Sequence, residues 1–218
     1  MAALPGSQTE KNLLATFAGE SQARNRYVFA ASVARKEGFE QIAALFTETA
    51  ENEQEHAQVF WKHLQGGEVE ITATYPAGVT GDTLANLRAA AAGEKLEWGT
   101  LYPGFAATAQ AEGFGVVAVA YTEIAKVEAY HERRYNRLAE RLAGRAVFQR
   151  PEPIRWKCRN CGYVIEGAPP PPLMCSGEFP LTAGEQAARQ VLEGLGPPLV
   201  CPACQHAQAY YEPWVENY

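Results

Sequence analysis

Apolar residues recur at helical spacing along four long stretches of the chain. The first runs from Thr9 to about Glu37, with Leu13, Phe17, Tyr27, Ala31 and Ala34 on one stripe, and Gly38 interrupts it. The second runs from about Phe39 to Gln65, with Ile42, Phe46, Thr49, Phe60 and Leu64 on its stripe, and Gly66-Gly67 follow as a stop signal. Residues 66–81 mix Gly, Pro and β-branched residues without a helical period, which predicts an extended connection. The third stretch opens near Asp82 and carries Leu84, Leu87, Leu101 and Phe105. Pro103 lies inside it and predicts a kink or a local break. Glu112-Gly113-Phe114 marks a turn, and the fourth stretch continues to about Ala143 with Val117, Ala120, Ile124, Tyr135, Leu138 and Leu142, before Gly144.

Each stripe is broken by acidic or imidazole groups. Glu20 sits in the first and Glu94 and Glu97 in the third. The second carries Glu53-Gln54-Glu55-His56 and the fourth Glu128-Ala129-Tyr130-His131. A spacing of three places the Glu and the His of each motif on one helix face, here the apolar one. A carboxylate on a buried face is costly unless it is paired or bound to metal. A lone Glu or His on such a stripe reads as an edge or core residue. Five glutamates and two histidines on four helices read as a two-metal site. Ligation rich in oxygen with one or two imidazoles favours iron or manganese over zinc or copper. Tyr27 and Tyr102 are candidate donors to the ligand carboxylates, with ordinary core packing as the alternative.

The chain also repeats itself. A shift of 75 residues lays Glu37-Gly38-Phe39 on Glu112-Gly113-Phe114, Tyr27 on Tyr102, Phe46 on Tyr121, Glu53 on Glu128 and His56 on His131. Glu20 falls one residue from Glu94, and Glu97 has no counterpart in the first half. Two helical hairpins of one design are therefore expected to face each other. Glu20 lies 18 residues before Gly38 and Glu53 lies 15 after it, so at about 1.5 Å rise per residue they end within about 5 Å in height. The connection at 66–81 spans at most about 55 Å when extended, enough to run the length of the bundle. The expected fold is mainly α: a ferritin-like four-helix bundle with one long crossover.

Composition narrows the partners. The 218 residues are 47% hydrophobic with a net charge of −6, which suits one good-sized domain plus a small one, without the basic stripe of a nucleic-acid binder. No apolar run approaches the roughly 20 residues of a membrane span, and no signal-peptide pattern opens the chain, so a cytoplasmic protein is expected. All five cysteines lie at or beyond Cys158. Trp156-Lys157-Cys158-Arg159-Asn160-Cys161-Gly162-Tyr163 and Cys201-Pro202-Ala203-Cys204 form two Cys-x-x-Cys knuckles, a tetrahedral site for iron or zinc, with Cys-Pro-x-Cys and Cys-Gly-Tyr leaning towards iron. Between the knuckles lie 39 residues, including Pro169-Pro170-Pro171-Pro172 and a short helix opened by Thr182-Ala183-Gly184-Glu185, a capping-box pattern. Cys175, with Glu178 where a partner cysteine would stand, reads as a spare thiol. The expected organisation is a flexible N-terminus over 1–8, the helical domain over 9–146, a linker over 147–155 around Pro151-Glu152-Pro153, and a small domain over 156–218 with an insertion at about 168–197.

Gly19-Glu20-Ser21-Gln22-Ala23-Arg24-Asn25-Arg26-Tyr27, the paired Glu-x-x-His motifs, Gly93-Glu94-Lys95-Leu96-Glu97-Trp98 and Trp156–Tyr163 together resemble the rubrerythrins. The resemblance covers about residues 10–167 and 198–212, and the 168–197 insertion departs from it. It implies a di-iron bundle joined to a rubredoxin-like Fe(Cys)4 domain of β structure. By this resemblance Glu53 and Glu128 bridge two irons, Glu20 and Glu97 are terminal on one, Glu94 and His131 on the other, and His56 replaces Glu97 in the reduced site. Cys158, Cys161, Cys201 and Cys204 hold the third iron.

The implied activity is peroxidase chemistry for oxidative-stress defence. Hydrogen peroxide is reduced to water at the bundle site, with Glu97 and His56 as catalytic groups and Glu97 as the proton relay. Electrons arrive through the Fe(Cys)4 centre from a reductase linked to NAD(P)H or from a rubredoxin. A homodimer is expected by the same resemblance. A di-manganese catalase needs no electron donor, so the knuckles argue against it. A ferritin-like iron store has little use for an electron-transfer domain.

Overall fold

The computed structural model describes residues 3–167 and 200–216. The insertion at 168–197, with its Pro run, capping-box helix and Cys175, lies outside the described residues. The chain divides into two compact units.

The first unit comprises residues 1–30 and 46–137. Helix α1 spans Gln8–Lys36, α2 Glu40–Trp61 and α5 Gly115–Ala143. The third helix of the bundle is composite: α3 (Thr83–Leu96), a π-helical turn (Glu97–Leu101) and α4 (Tyr102–Ala111). The fold is the expected ferritin-like four-helix bundle, with the connection after α2 free of helix up to Thr83. Helix α2 stops at Trp61, before Gly66 and Gly67, both of which adopt positive φ beyond its end. Asp82 caps α3, its carboxylate accepting from the Ala85 N–H at 2.7 Å.

Pro103 lies in the first turn of α4, directly after the π turn, so the local irregularity it predicts takes the form of that turn. A π turn inserts one residue into a helix. Glu20 and Tyr27 are seven residues apart, whereas Glu94 and Tyr102 are eight apart. The slip between Glu20 and Glu94 in the repeat is that inserted residue, and Glu97 opens the turn that contains it.

The repeat is visible in the packing. Tyr27, Phe46 and Tyr135 form one aromatic cluster, with centroids 5.0–6.1 Å apart. Tyr102, Tyr121 and Phe60 form its counterpart, at 4.6–5.8 Å. All six rings are buried, and each such contact contributes about 0.5–1.5 kcal/mol beyond area burial.

Leu4 is buried with Leu13 and Tyr121 in the core, and α1 already begins at Gln8. The physical reason is a cap borrowed from across the bundle. The Glu112 carboxylate accepts from the backbone N–H of Gln8 at 3.1 Å and of Thr9 at 2.8 Å, and from the Thr9 hydroxyl at 2.6 Å. An anion at a helix N-terminus satisfies orphan N–H groups and complements the dipole.

The second unit comprises residues 31–45 and 138–218. Strands β1 (Ile154–Cys158), β2 (Val164–Gly167) and β3 (Tyr211–Pro213) form an antiparallel sheet in the order β2-β1-β3. Trp156, Cys158, Cys201 and Tyr211 are its fully buried core. Phe39 stacks on Phe148 at 6.3 Å within this unit. Among the described residues, no helix is long and apolar enough to cross a membrane.

The Glu112 cap is directly testable. Its hydrogen bonds from Thr9 hold the Glu112 carboxyl below the usual carboxylate range, so its stabilisation is present above the ordinary carboxylate pKa and is lost as pH falls through the depressed one. Glu112→Gln should lower Tm at pH 7, and the gap to the parent should close on acidification below about pH 4. Thermal melts of metal-free protein across pH check this. An unchanged Tm at pH 7 would remove the cap from the account.

Candidate metal centres

Helical geometry brings the polar exceptions of the four stripes together in the first unit. Glu20, Glu53, His56 and Glu128 converge as one group, and Glu53, Glu94, Glu128 and His131 as another, with the potential ligand atoms of each group all within 4.8 Å. Glu53 and Glu128 belong to both groups and therefore stand between two positions. All six residues are buried. The seventh, Glu97, is partly exposed and stands outside both groups.

The contacts are those of a charged set. His56 Nδ1 lies 2.8 Å from Glu53 Oε2 and 2.9 Å from Glu128 Oε1. His131 Nδ1 lies 2.8 Å from Glu128 Oε2 and 3.3 Å from Glu53 Oε1. Burial opposes charging both imidazoles. Close contact with the Glu128 and Glu53 carboxylates overcomes it, so His56 is pushed up to about 10 and His131 to about 12. Burial and the charges of Glu53 and Glu128 raise Glu94 to about 8 and push Glu20 up as well. Glu53 is driven down despite its burial, because both imidazoles face it. Metal-free, the site holds its acids only by keeping protons on neighbours.

That arrangement leaves donors unused. Glu20 Oε2, Glu53 Oε1, Glu94 Oε2, both Glu128 oxygens and His131 Nδ1 are buried without a well-formed hydrogen bond. Buried polar atoms normally find partners. Six orphans facing one space, five of them oxygens, fit a pair of first-row metal ions, and the set fits iron. Glu20, Glu53, His56, Glu94, Glu128 and His131 would hold them.

The surrounding hydrogen bonds follow the repeat. The Tyr27 hydroxyl donates to Glu94 Oε1 at 2.6 Å, and the Tyr102 hydroxyl donates to Glu20 Oε1. Each hairpin's tyrosine thus holds the other hairpin's glutamate. Sequence reasoning left these tyrosines open between that role and plain packing, and they do both. It missed Asn52, whose Oδ1 lies 3.2 Å from His131 Nε2 and orients the ring. Its one sequence signal is a position one residue before Glu53. Trp98 was also missed as an anchor: its indole N–H donates to Glu132 at 2.7 Å, and Lys95 Nζ sits 3.7 Å over its ring.

In the second unit, the sulfur atoms of Cys158, Cys161, Cys201 and Cys204 lie within 4.8 Å of one another. The Cys158–Cys204 and Cys161–Cys201 separations are 3.8 and 3.6 Å. A tetrahedron with metal–sulfur bonds of about 2.3 Å has edges near these lengths, whereas a disulfide is about 2.05 Å. The knuckles share one turn geometry. Gly162 N–H donates to Cys158 O and Gln205 N–H to Cys201 O, both at 2.9 Å, with positive φ at Gly162 and Gln205. The His206 backbone N–H draws the Cys204 thiol down to about 6, towards the thiolate a metal needs.

A ferritin-like bundle with a shared-carboxylate two-metal site and a rubredoxin-like cysteine domain defines the class of protein. The rubrerythrin family model matches residues 11–139. A rubrerythrin of Porphyromonas gingivalis is 53% identical over 215 residues, covering 99% of this chain and 94% of that protein. A rubrerythrin of Nitratidesulfovibrio vulgaris is 43% identical over 212 residues, covering 97% of each. A solved structure of nigerythrin in a mixed-valent state matches with a TM-score of 0.54 at 26% identity, covering 96% of this chain and 87% of that one. The chain belongs to the rubrerythrin family.

Loading the bundle must expel its protons. Ferrous iron added anaerobically to metal-free protein at pH 7 should release protons from His131 and Glu94, and occupancy should fall as pH is lowered because protons compete for the same atoms. Iron uptake followed in weakly buffered solution measures both. Uptake without proton release, and independent of pH, would contradict this ligand set.

Proposed function

We propose that the chain is a non-haem di-iron peroxidase that reduces hydrogen peroxide to water, within the oxidative-stress role of its family. The supporting observation is the coexistence, in one chain, of a buried carboxylate–imidazole site with shared bridges and a separate four-thiolate site. A catalase or an iron store would use the first without needing the second.

In this reading two irons in the bundle would supply the electron pair that cleaves the O–O bond, and an iron held by the four cysteines would carry replacement electrons one at a time. The chain's own groups do the rest. Tyr27 and Tyr102 fix Glu94 and Glu20 in orientation. The aromatic clusters around Phe46 and Phe60 exclude water from the interior. Glu97 is the catalytic proton carrier: partly exposed, it stands beside the buried carboxylates at the start of a π turn, a backbone irregularity common at functional sites. His56, held between Glu53 and Glu128, would hold metal in place of Glu97 in the reduced site. Two protons and two electrons balance each peroxide, giving two waters. The electron source is a reductase linked to NAD(P)H or a rubredoxin, and the working form is a cytoplasmic homodimer.

Cys204→Ser should separate the two functions. The tetrahedron loses a ligand, so its metal is lost or displaced, while the bundle ligands are untouched. The pre-reduced variant should still consume about one peroxide per chain in a single-turnover mix, and continuous turnover with an external reductant should collapse. Full steady-state activity would show that electrons bypass the cysteines. Oxygen release without reductant would point to a catalase.

A further inference from the structure

A recess of about 210 Å³ lies against the two-metal site in the first unit, and Tyr27, Glu97 and Tyr102 belong to its wall. Thr16, Gln22, Arg26, Thr74 and Tyr75 add further polar side chains to that wall. The rest of the lining is dominated by small and apolar groups. Ala15, Gly19 and Ala23 follow one another at four-residue spacing along α1, so they share a face, and Gly93, Leu96 and Phe105 stand on the composite third helix. A Cβ built at Gly19 or Gly93 meets nothing within 4 Å. At both positions the wall is open rather than filled by a side chain. The extended connection contributes Ala73, Thr74, Tyr75 and Pro76 to the wall.

Hydrogen peroxide needs none of this. It is close in size to a water molecule, which occupies about 30 Å³ of liquid, whereas a dry cavity of about 150 Å³ already holds benzene. The recess is amphipathic: polar side chains share its wall with a run of small and apolar ones, as in small-molecule sites.

We infer that this recess accepts the alkyl or aryl group of small organic hydroperoxides, so that R–O–O–H, with R up to about the size of a cumyl group, is a second substrate class of the same site. The inference rests on the peroxidase reading. The reaction is R–O–O–H + 2 e⁻ + 2 H⁺ → R–OH + H₂O. The O–O bond breaks, one oxygen leaves as the alcohol and the other as water. The electrons come from the external one-electron donor that serves peroxide reduction, and the protons from solvent by way of Glu97. The hydroperoxyl end faces Tyr27, Glu97 and Tyr102, and R lies against Ala23, Gly93, Leu96 and Phe105.

The test uses iron-loaded full-length protein and two readouts. The first is binding of 2-phenyl-2-propanol, the unreactive alcohol product of cumene hydroperoxide, by calorimetry and by diffraction from soaked crystals. The second is the ratio of kcat/KM for cumene hydroperoxide to that for hydrogen peroxide. The variant is Gly93→Leu, whose new side chain enters the space in a helical position that tolerates it, with Gly93→Ala as the control that adds only a methyl. The alcohol should appear in the recess of the parent protein. Gly93→Leu should weaken its binding and lower the kcat/KM ratio, each by about tenfold or more, with Gly93→Ala between the two. Hydrogen peroxide turnover with no alcohol binding, or a ratio unmoved by Gly93→Leu, would overturn this inference and leave the peroxidase reading intact. Alcohol bound in the recess of a protein that turns over neither peroxide would overturn the peroxidase reading, and the inference with it.

Discussion

Four buried glutamates share one space, and that constraint governs the rest of the first unit. Each buried ion carries a desolvation cost of several kcal/mol, and a domain's whole stability is about 5–15 kcal/mol. Four such charges cannot coexist uncompensated. The chain offers compensation in two forms. Without metal, His56 and His131 carry protons and Glu20 and Glu94 are pushed towards their neutral forms. With metal, bound cations would take the place of those protons and use the orphaned oxygens. Tyrosine hydroxyls on Glu20 and Glu94 serve both forms, because a hydroxyl donor suits an ionised acid and does not compete for its second oxygen.

The doubled architecture explains how a site of this kind is built accurately. Each hairpin supplies a glutamate, a Glu-x-x-His motif, two of the three rings of one aromatic cluster, and a tyrosine that reaches across to the other hairpin's glutamate. The symmetry is broken at one place. The π turn at Glu97–Leu101 has no partner in α1, and it presents the one acid that stands outside the converged groups. At the position 75 residues earlier the chain has Gln22. The same side of the bundle carries the recess, so the added residue, the unpaired acid and the open space occur together. A symmetric two-metal site has two equivalent faces, and this local asymmetry distinguishes one of them.

Most of this was legible in the sequence because the chemistry contradicts the hydrophobic pattern. Glu53 and His56 on an apolar stripe have few explanations, and their recurrence as Glu128 and His131 leaves fewer. The Cys-x-x-Cys pairs were equally explicit. What escaped was of two kinds. The π turn was encoded in a one-residue slip of the repeat, but Pro103 offered a more familiar cause of irregularity and drew the expectation to itself. Asn52, Trp98 and Glu112 act through partners 79, 34 and about 104 residues away, and nothing in local spacing marks such polar contacts. The burial of Leu4 and the Glu112 cap on α1 are long-range contacts of the same kind.

We propose two metal ions among the converged carboxylates and imidazoles, and a third among the cysteines. Anomalous diffraction at the iron edge, from crystals of protein loaded anaerobically with ferrous iron, measures this most directly. The account requires two neighbouring peaks in the bundle, both in contact with Glu53 and Glu128, one also touching Glu20 and the other Glu94 and His131, with a third peak among Cys158, Cys161, Cys201 and Cys204. A bundle without iron, its glutamates paired to protonated histidines as in the metal-free protein, or a lone peak that leaves Glu20 or Glu94 unligated, would contradict it.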